Sequence, residues 1–204
     1  DESESWTYNV AWIDCLQKGK NLGRSIMMRG EHAFQHQIPS KIKENPLRLK
    51  QKPKPTVPFY FPDFVLNNWT VKLFNLLYFG KQRQKQVNDF VDYETFFYPL
   101  DIINDWNKIY GKNGFIQYQM VIPKEKGKEG MKKILETLAA SGNGSFLAVL
   151  KLFFFFFPEA YNSFPFEGYT LALDFKVNKK LKNLVQKLDQ IVEEYGGRIY
   201  LTKD

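Results

Sequence analysis

The clearest pattern lies in the last ninety residues. Phe115 to Ile122 alternates apolar and polar positions, as a strand with one buried face requires, and Pro123 ends the run. Lys128 to Ser141 changes period: Met131, Ile134, Leu135, Leu138 and Ala139 fall on one helical stripe, with Gly142 as the stop. Ser145 to Phe153 reads as an apolar strand. Gly168 to Lys176 is another, with Tyr169, Leu171, Leu173 and Phe175 alternating. Asn178 is placed to cap a helix carrying Leu181, Leu184, Val185, Leu188, Ile191, Val192 and Tyr195, and Gly196-Gly197 ends it. Arg198 to Thr202 closes the series as a strand. The order β-α-β-β-α-β predicts an α+β fold, an antiparallel sheet with helices packed on one face and a ferredoxin-like core in the C-terminal half.

Strand parity then sorts the side chains. If Ile116, Tyr118, Met120 and Ile122 meet the helices, Gln117 and Gln119 share the opposite face. Placing Phe146, Ala148, Leu150 and Leu152 inward sends Lys151 to that same face. The later strands add Thr170, Ala172, Asp174 and Tyr200 to it. Two glutamines and a lone lysine between apolar neighbours suit a covered polar pocket, and an ordinary solvated sheet face is the alternative.

The first half is less regular. Trp6, Tyr8, Val10 and Trp12 alternate with Thr7, Asn9, Ala11 and Ile13, a strand over 6–15 whose aromatic residues read most simply as core. Gly19 to Gly23 predicts a turn, and Ser25 to Arg29 the second strand of a hairpin. Residues 36–62 hold six of the ten prolines, which predicts an extended, mobile loop. Residues 64–80 are apolar with partly helical spacing. Asp101 to Tyr110, with Ile102, Ile103, Trp106 and Ile109 on one side and Gly111 behind, predicts a short helix.

Length and charge refine this picture. The chain has 204 residues, enough for one large domain or two small ones, and 44% hydrophobic residues, enough for a core. It has no apolar run of the ~18 residues that crossing a bilayer needs. Cys15 is the one cysteine, which excludes an internal disulfide, and two histidines make a metal centre unexpected. Asp1 begins the chain without a methionine, so it reads as a piece of a longer protein. The net charge is +7 and the pI near 9.3, which admits nucleic acid, an anionic membrane or a phosphorylated ligand as partner. Lys41, Lys43, Arg48, Lys50, Lys52 and Lys54 form the densest basic run. Gly142-Asn143-Gly144 does not have the pattern of a phosphate loop, and no histidine stands near Cys15 in sequence to activate it.

A set of motifs adds to this reading. Phe97-Tyr-Pro-Leu-Asp101, Trp106-Asn107, Tyr110-Gly111 and Gly114-Phe-Ile-Gln-Tyr-Gln119 resemble the FAD-linked oxidases related to decaprenylphosphoryl-ribose 2-oxidase, within the vanillyl-alcohol oxidase superfamily. The likeness continues through Phe146-Leu-Ala-Val-Leu-Lys-Leu-Phe153, Ser163-Phe-Pro-Phe-Glu-Gly-Tyr-Thr170 and Gly196-Gly-Arg-Ile-Tyr-Leu-Thr-Lys-Asp204. Near the start it includes Val10-Ala-Trp-Ile-Asp14 and Leu22-Gly-Arg24.

The resemblance implies that residues 1–204 form a single substrate-binding (cap) domain of a longer flavoenzyme whose FAD-binding domain is absent from this chain. It implies oxidation of a secondary sugar hydroxyl on a polyprenyl-phosphate glycoside, as in sugar 2-epimerisation for cell-wall polysaccharide, with a short-chain reductase as partner. Lys203 is the implied catalytic residue. Gln117, Gln119, Lys151, Phe153 and Thr170 are the implied substrate contacts, and Lys203, Gln119 and Tyr200 the implied flavin contacts. Strand parity alone points Lys203 at the helices, so the chain must bend after Thr202. The departures are Ala172, where members of the family have a cysteine open to covalent inhibitors, Phe97 in place of a tyrosine, and the run Phe153 to Phe157.

FAD is therefore the expected cofactor of the whole enzyme, and the chain by itself is expected to be colourless and inactive. The expected location is cytoplasmic, and the basic loop and the phenylalanines read either as peripheral contact at the inner face of the plasma membrane or as a solvated gate loop over the site and a buried aromatic strand. The rival reading is a ferredoxin-like nucleic-acid-binding or interaction module. Gln117, Gln119, Thr170 and Ala172 cannot stack bases, so no nucleic-acid partner is expected.

Overall fold

The computed structural model describes residues 5–48, 53–145, 147–154 and 163–203, without the side chains of residues 41 and 42. Phe146, Lys50, Lys52 and Phe155 to Phe157 therefore lie outside the described residues. The strands are β1 (Tyr8–Ile13), β2 (Ser25–Gly30), β3 (Phe115–Pro123), β4 (Ala148–Phe153), β5 (Gly168–Lys176) and β6 (Arg198–Ile199). They form one antiparallel sheet in the spatial order β2-β1-β4-β5-β3-β6. The helices are α1 (Ser40–Lys43), α2 (Asn68–Gly80), α3 (Tyr93–Phe97), α4 (Gly127–Ser141) and α5 (Leu181–Glu194).

The C-terminal half has the predicted order, and β4-β5-β3-β6 is the strand sequence of a ferredoxin-like sheet. The β1–β2 hairpin extends it at the β4 edge. One face carries the core: Tyr118, Met120, Ile122, Ala148, Leu171, Leu173 and Phe175 meet Ile134, Leu135 and Leu138 of α4 and Leu184, Leu188 and Val192 of α5. Tyr118 also donates its hydroxyl to Asp189 of α5 at 2.6 Å, tying that helix to the sheet. Gly142, at φ 70, takes the left-handed turn that ends α4, a conformation costly for other residues.

Several boundaries differ from the sequence reading, each for a visible reason. The helix expected over Asp101 to Tyr110 shrinks to a 3₁₀ turn at Trp106–Tyr110, because Asp105 is left-handed at φ 55 and breaks the path ahead of it. β4 starts at Ala148, since the Ser145 hydroxyl ties up Leu147 and holds the preceding chain in a loop. α5 starts at Leu181; Asn178 accepts the Lys180 N–H in a turn just before it. β6 stops at Ile199, although the Tyr200 N–H still donates to the Gln119 carbonyl at 2.9 Å. The chain therefore turns at Leu201 and Thr202, earlier than expected.

Between the hairpin and β3, α3 and the C-terminal end of α2 pack on the other side of the sheet, while Leu66 and Val71 join the main core. Register places Tyr8, Val10 and Trp12 on the face opposite Ile13. Trp12 is buried under Tyr78 of α2, at 4.8 Å between rings, while Tyr8 meets Phe97 of α3 at 4.9 Å. Tyr8 and Trp6 are half-buried rather than core, Trp6 lying under Arg29. Asn67 caps α2 in a reciprocal box with Thr70. The chain over 53–61 bridges Thr56 to Asn104, and the Phe61 N–H donates to the Lys108 carbonyl.

A buried polar knot fixes α2 to the hairpin. Asp14, 1% exposed, accepts from Arg24 at 2.6 Å, Asn75 at 2.7 Å and Gln17 at 2.9 Å. Cys15, beside it, donates its thiol to the Ser145 carbonyl. Burial pushes that thiol up to about 12, so it is inert.

Candidate functional site

The sheet face away from α4 and α5 carries the polar residues that parity put there. Pairing sets Gln117 opposite Asp174, Gln119 opposite Ala172, and Lys151 opposite Thr170, so these side chains share one face across β3, β5 and β4. This is not an ordinary wet face. Asp174 and Thr170 are buried, and Gln117 and Gln119 are half-buried.

Its hydrogen bonds form two groups. In the first, the Gln117 amide nitrogen donates to Asp174 at 2.8 Å, and Lys203 donates to the Gln117 amide oxygen. The turn at Leu201 and Thr202 is what brings Lys203 back over the sheet, on the side that simple alternation denied it. In the second group, Gln119 donates to the Thr170 hydroxyl at 3.1 Å, and that hydroxyl donates to the Met120 carbonyl at 2.9 Å. Thr170 is thus fully engaged and holds Gln119 in place.

Aromatic rings stand at both ends of this strip. Tyr110 stacks on Phe115 at 4.5 Å next to the Gln117–Asp174 end. At the other end Phe164 contacts Phe153 and Tyr200, at 6.3 and 4.8 Å between centroids. Lys151 is exposed on β4; the crevice of about 70 Å³ beside it is lined by Leu150, Leu152, Tyr169 and Met27, which register places on the opposite, helix-bearing face.

Burial dominates the electrostatics. It pushes Asp174 up from 3.8 to about 6, against the opposing pull of the Gln117 N–H, the Lys203 charge and the Tyr110 hydroxyl. Burial likewise raises the Tyr110 phenol, and the Asp174 charge adds to that rise.

The structure therefore gathers Gln117, Gln119, Thr170, Tyr200 and Lys203 around one strip, with Phe153 and Lys151 on the same face toward β4. Asp174 is the residue the motif reading left without a role, although parity had put it on this face. The donors present fit one side of a flavin ring: amides, a lysine cation and the Tyr200 ring could face its polar edge. No glycine-rich phosphate cradle accompanies them among the described residues, so the nucleotide part of FAD finds no holder here. No group of three or more metal-ligating side chains occurs among the described residues, and no helix among them is long and apolar enough to cross a membrane.

The fold and its polar face define the class first: an α+β domain with a ferredoxin-like core whose polar sheet face is partly covered. The particular likeness follows from comparison with known proteins. The chain is similar over its whole length to decaprenylphosphoryl-β-D-ribose oxidase of Mycolicibacterium smegmatis, with 38% identity over 207 residues, covering 44% of that protein. It is 23% identical over 206 residues to the "Uncharacterized protein in mprA 5′region" of Streptomyces coelicolor, covering 55% of that protein. No family model matches. The chain thus spans about half the length of these curated relatives. The resemblance read from the motifs is borne out as a likeness to part of an oxidase.

Proposed function

We propose that this chain is the substrate-side domain of an FAD-dependent oxidoreductase that oxidises a secondary hydroxyl of a polyprenyl-phosphate-linked sugar. The observation that supports it most is the Lys203–Gln117–Asp174 cluster on a partly covered polar face, in a chain 38% identical along its length to an oxidase of such a sugar. A bound flavin supplies the acceptor for a hydride leaving the carbinol carbon. The chain's own residues bind and orient. Lys203, on this reading, lies beside the reacting hydroxyl and stabilises negative charge on its oxygen as the proton leaves. Gln117 and Gln119 direct amide groups at sugar hydroxyls and at the flavin edge, and Thr170 acts through Gln119. Tyr200 contributes a ring beside the flavin, while Lys151 and Phe153 take the phosphate and lipid side of the substrate. Oxidation at the sugar's 2-position, with a short-chain reductase returning a hydride, would complete an epimerisation.

The test is Lys203→Ala in the longer, flavin-loaded protein that this reading requires, with this chain as its substrate-side domain. Flavin reduction by the polyprenylphosphoryl sugar is expected to fall by at least the 10²-fold typical of a lost acid–base or charge-stabilising group. Reduction at the wild-type rate would refute the assignment.

A further inference from the structure

Asp174 lies in β5 on the polar face, 1% exposed, and its carboxylate receives the Gln117 amide nitrogen at 2.8 Å. A carboxylate only accepts hydrogen bonds and an ammonium only donates. An amide held between them has one satisfactory orientation: nitrogen toward the acid, oxygen toward the lysine. That is the arrangement observed, with Lys203 donating to the Gln117 oxygen. An amide does not pass a proton along this line, so the coupling is electrostatic and geometric.

We propose that Asp174 is the positioning residue of this site: it fixes which end of the Gln117 amide faces the open surface and, through that amide and its own charge, holds the Lys203 ammonium over the polar face. Its importance for a reaction rests on the oxidase reading above; the coupling of the three residues does not. The groups facing the carboxylate come from every neighbouring element. Gln117 comes from β3, Tyr110 from the 3₁₀ turn, and Lys203 from the C-terminal turn. The Ser145 hydroxyl, ahead of β4, accepts the Asp174 N–H at 3.1 Å. Lys176, two residues along β5 on the same face, is occupied by Asp63 at 3.1 Å. Among the described residues, Lys203 is thus the cation of this group with no other carboxylate as partner. When Asp174 takes up a proton it can donate to the Gln117 oxygen, the amide is free to turn, and Lys203 loses its acceptor.

The experiment is a carbon-detected NMR titration of the Asp174 carboxyl in this 204-residue chain, which needs neither flavin nor sugar. In the wild type the midpoint is expected near the shifted value of about 6. Lys203→Met should raise it by roughly half a pH unit or more, because an opposing positive charge has gone. Gln117→Leu should also raise it, and Lys203→Arg should leave it nearly unmoved. A midpoint identical in wild type and Lys203→Met, or one at the ordinary aspartate value, would overturn the proposal. Lys203 is exposed, so its variants decide the matter even if Gln117→Leu fails to fold. If the titration behaves as expected while Lys203→Ala leaves flavin reduction intact, the oxidase reading fails and the coupling stands. The reverse pair of results rejects the coupling alone.

Discussion

Asparagine at position 174 provides a sharp test of how burial acts on this face. The Asp174 carboxyl is held at about 6 in the folded chain, against 3.8 ordinarily, because its burial disfavours charge more than Gln117, Lys203 and Tyr110 favour it. The folded protein therefore holds this proton more tightly than the unfolded chain does. Its contribution to stability is fully present below pH 3.8 and is lost as pH rises through about 6, with no further change above. At ~1.4 kcal/mol for each pH unit, the window amounts to about 3 kcal/mol. Asp174→Asn has nearly the same shape, can still accept from Gln117 through its amide oxygen, and cannot ionise. The variant should thus gain about 2–3 kcal/mol relative to wild type between pH 4 and pH 8, whatever its offset at either pH. Urea titrations followed by tryptophan fluorescence at the two pH values measure this directly, and other titrating groups cancel in the difference. Parallel pH dependence of the two proteins would show that Asp174 is either solvated or fully compensated, and the electrostatic account of the site would be wrong.

Three further outcomes follow from packing. Asp14→Ala leaves Arg24, Asn75 and Gln17 without their shared acceptor and should cost about 3–5 kcal/mol in chemical denaturation; a loss below ~1 kcal/mol would mean that the knot is not what holds α2. Gly168→Ala would place a Cβ 2.2 Å from the Ile122 carbonyl oxygen, a backbone atom that cannot swing aside, so a loss of at least about 1–3 kcal/mol and a lower Tm are expected, and an unchanged Tm contradicts the β3–β5 register. Cys15, buried and pushed up to about 12, should resist iodoacetamide at pH 8 until urea unfolds the chain; rapid stoichiometric alkylation of the folded protein would refute its burial.

Legibility in the sequence followed the strength of the local pattern. β3, β5, α4 and α5 stood out because each buries one face, so Met120, Leu173, Leu138 and Leu188 recur at the spacing of their element. The same parity put Gln117, Gln119, Thr170 and Asp174 on one face without knowledge of the fold. α2 was harder to read because it is apolar nearly all round: Val71 is buried, while Trp69, Leu73, Leu76 and Leu77 are exposed. Asp105 broke an expected helix through a backbone angle that side-chain pattern does not record. The two polar groupings that matter most join distant segments. Asp14 and Arg24, at the two ends of the hairpin's connection, meet Asn75 of α2, and Lys203 reaches Gln117 only because the chain turns after Tyr200. Alternation cannot anticipate such a turn, which is why the role proposed for Lys203 was first suggested by resemblance and that proposed for Asp174 by the hydrogen bonds of the fold.

The most direct measurement of the central claim is anaerobic stopped-flow mixing of the flavin-loaded protein with a polyprenylphosphoryl pentose, unlabelled or deuterated at the carbon to be oxidised. The account predicts bleaching of the flavin by the sugar, slowed several-fold by deuterium and nearly abolished in Lys203→Ala. An oxidised flavin that stays yellow with every such sugar, or that bleaches as fast without Lys203, would contradict it.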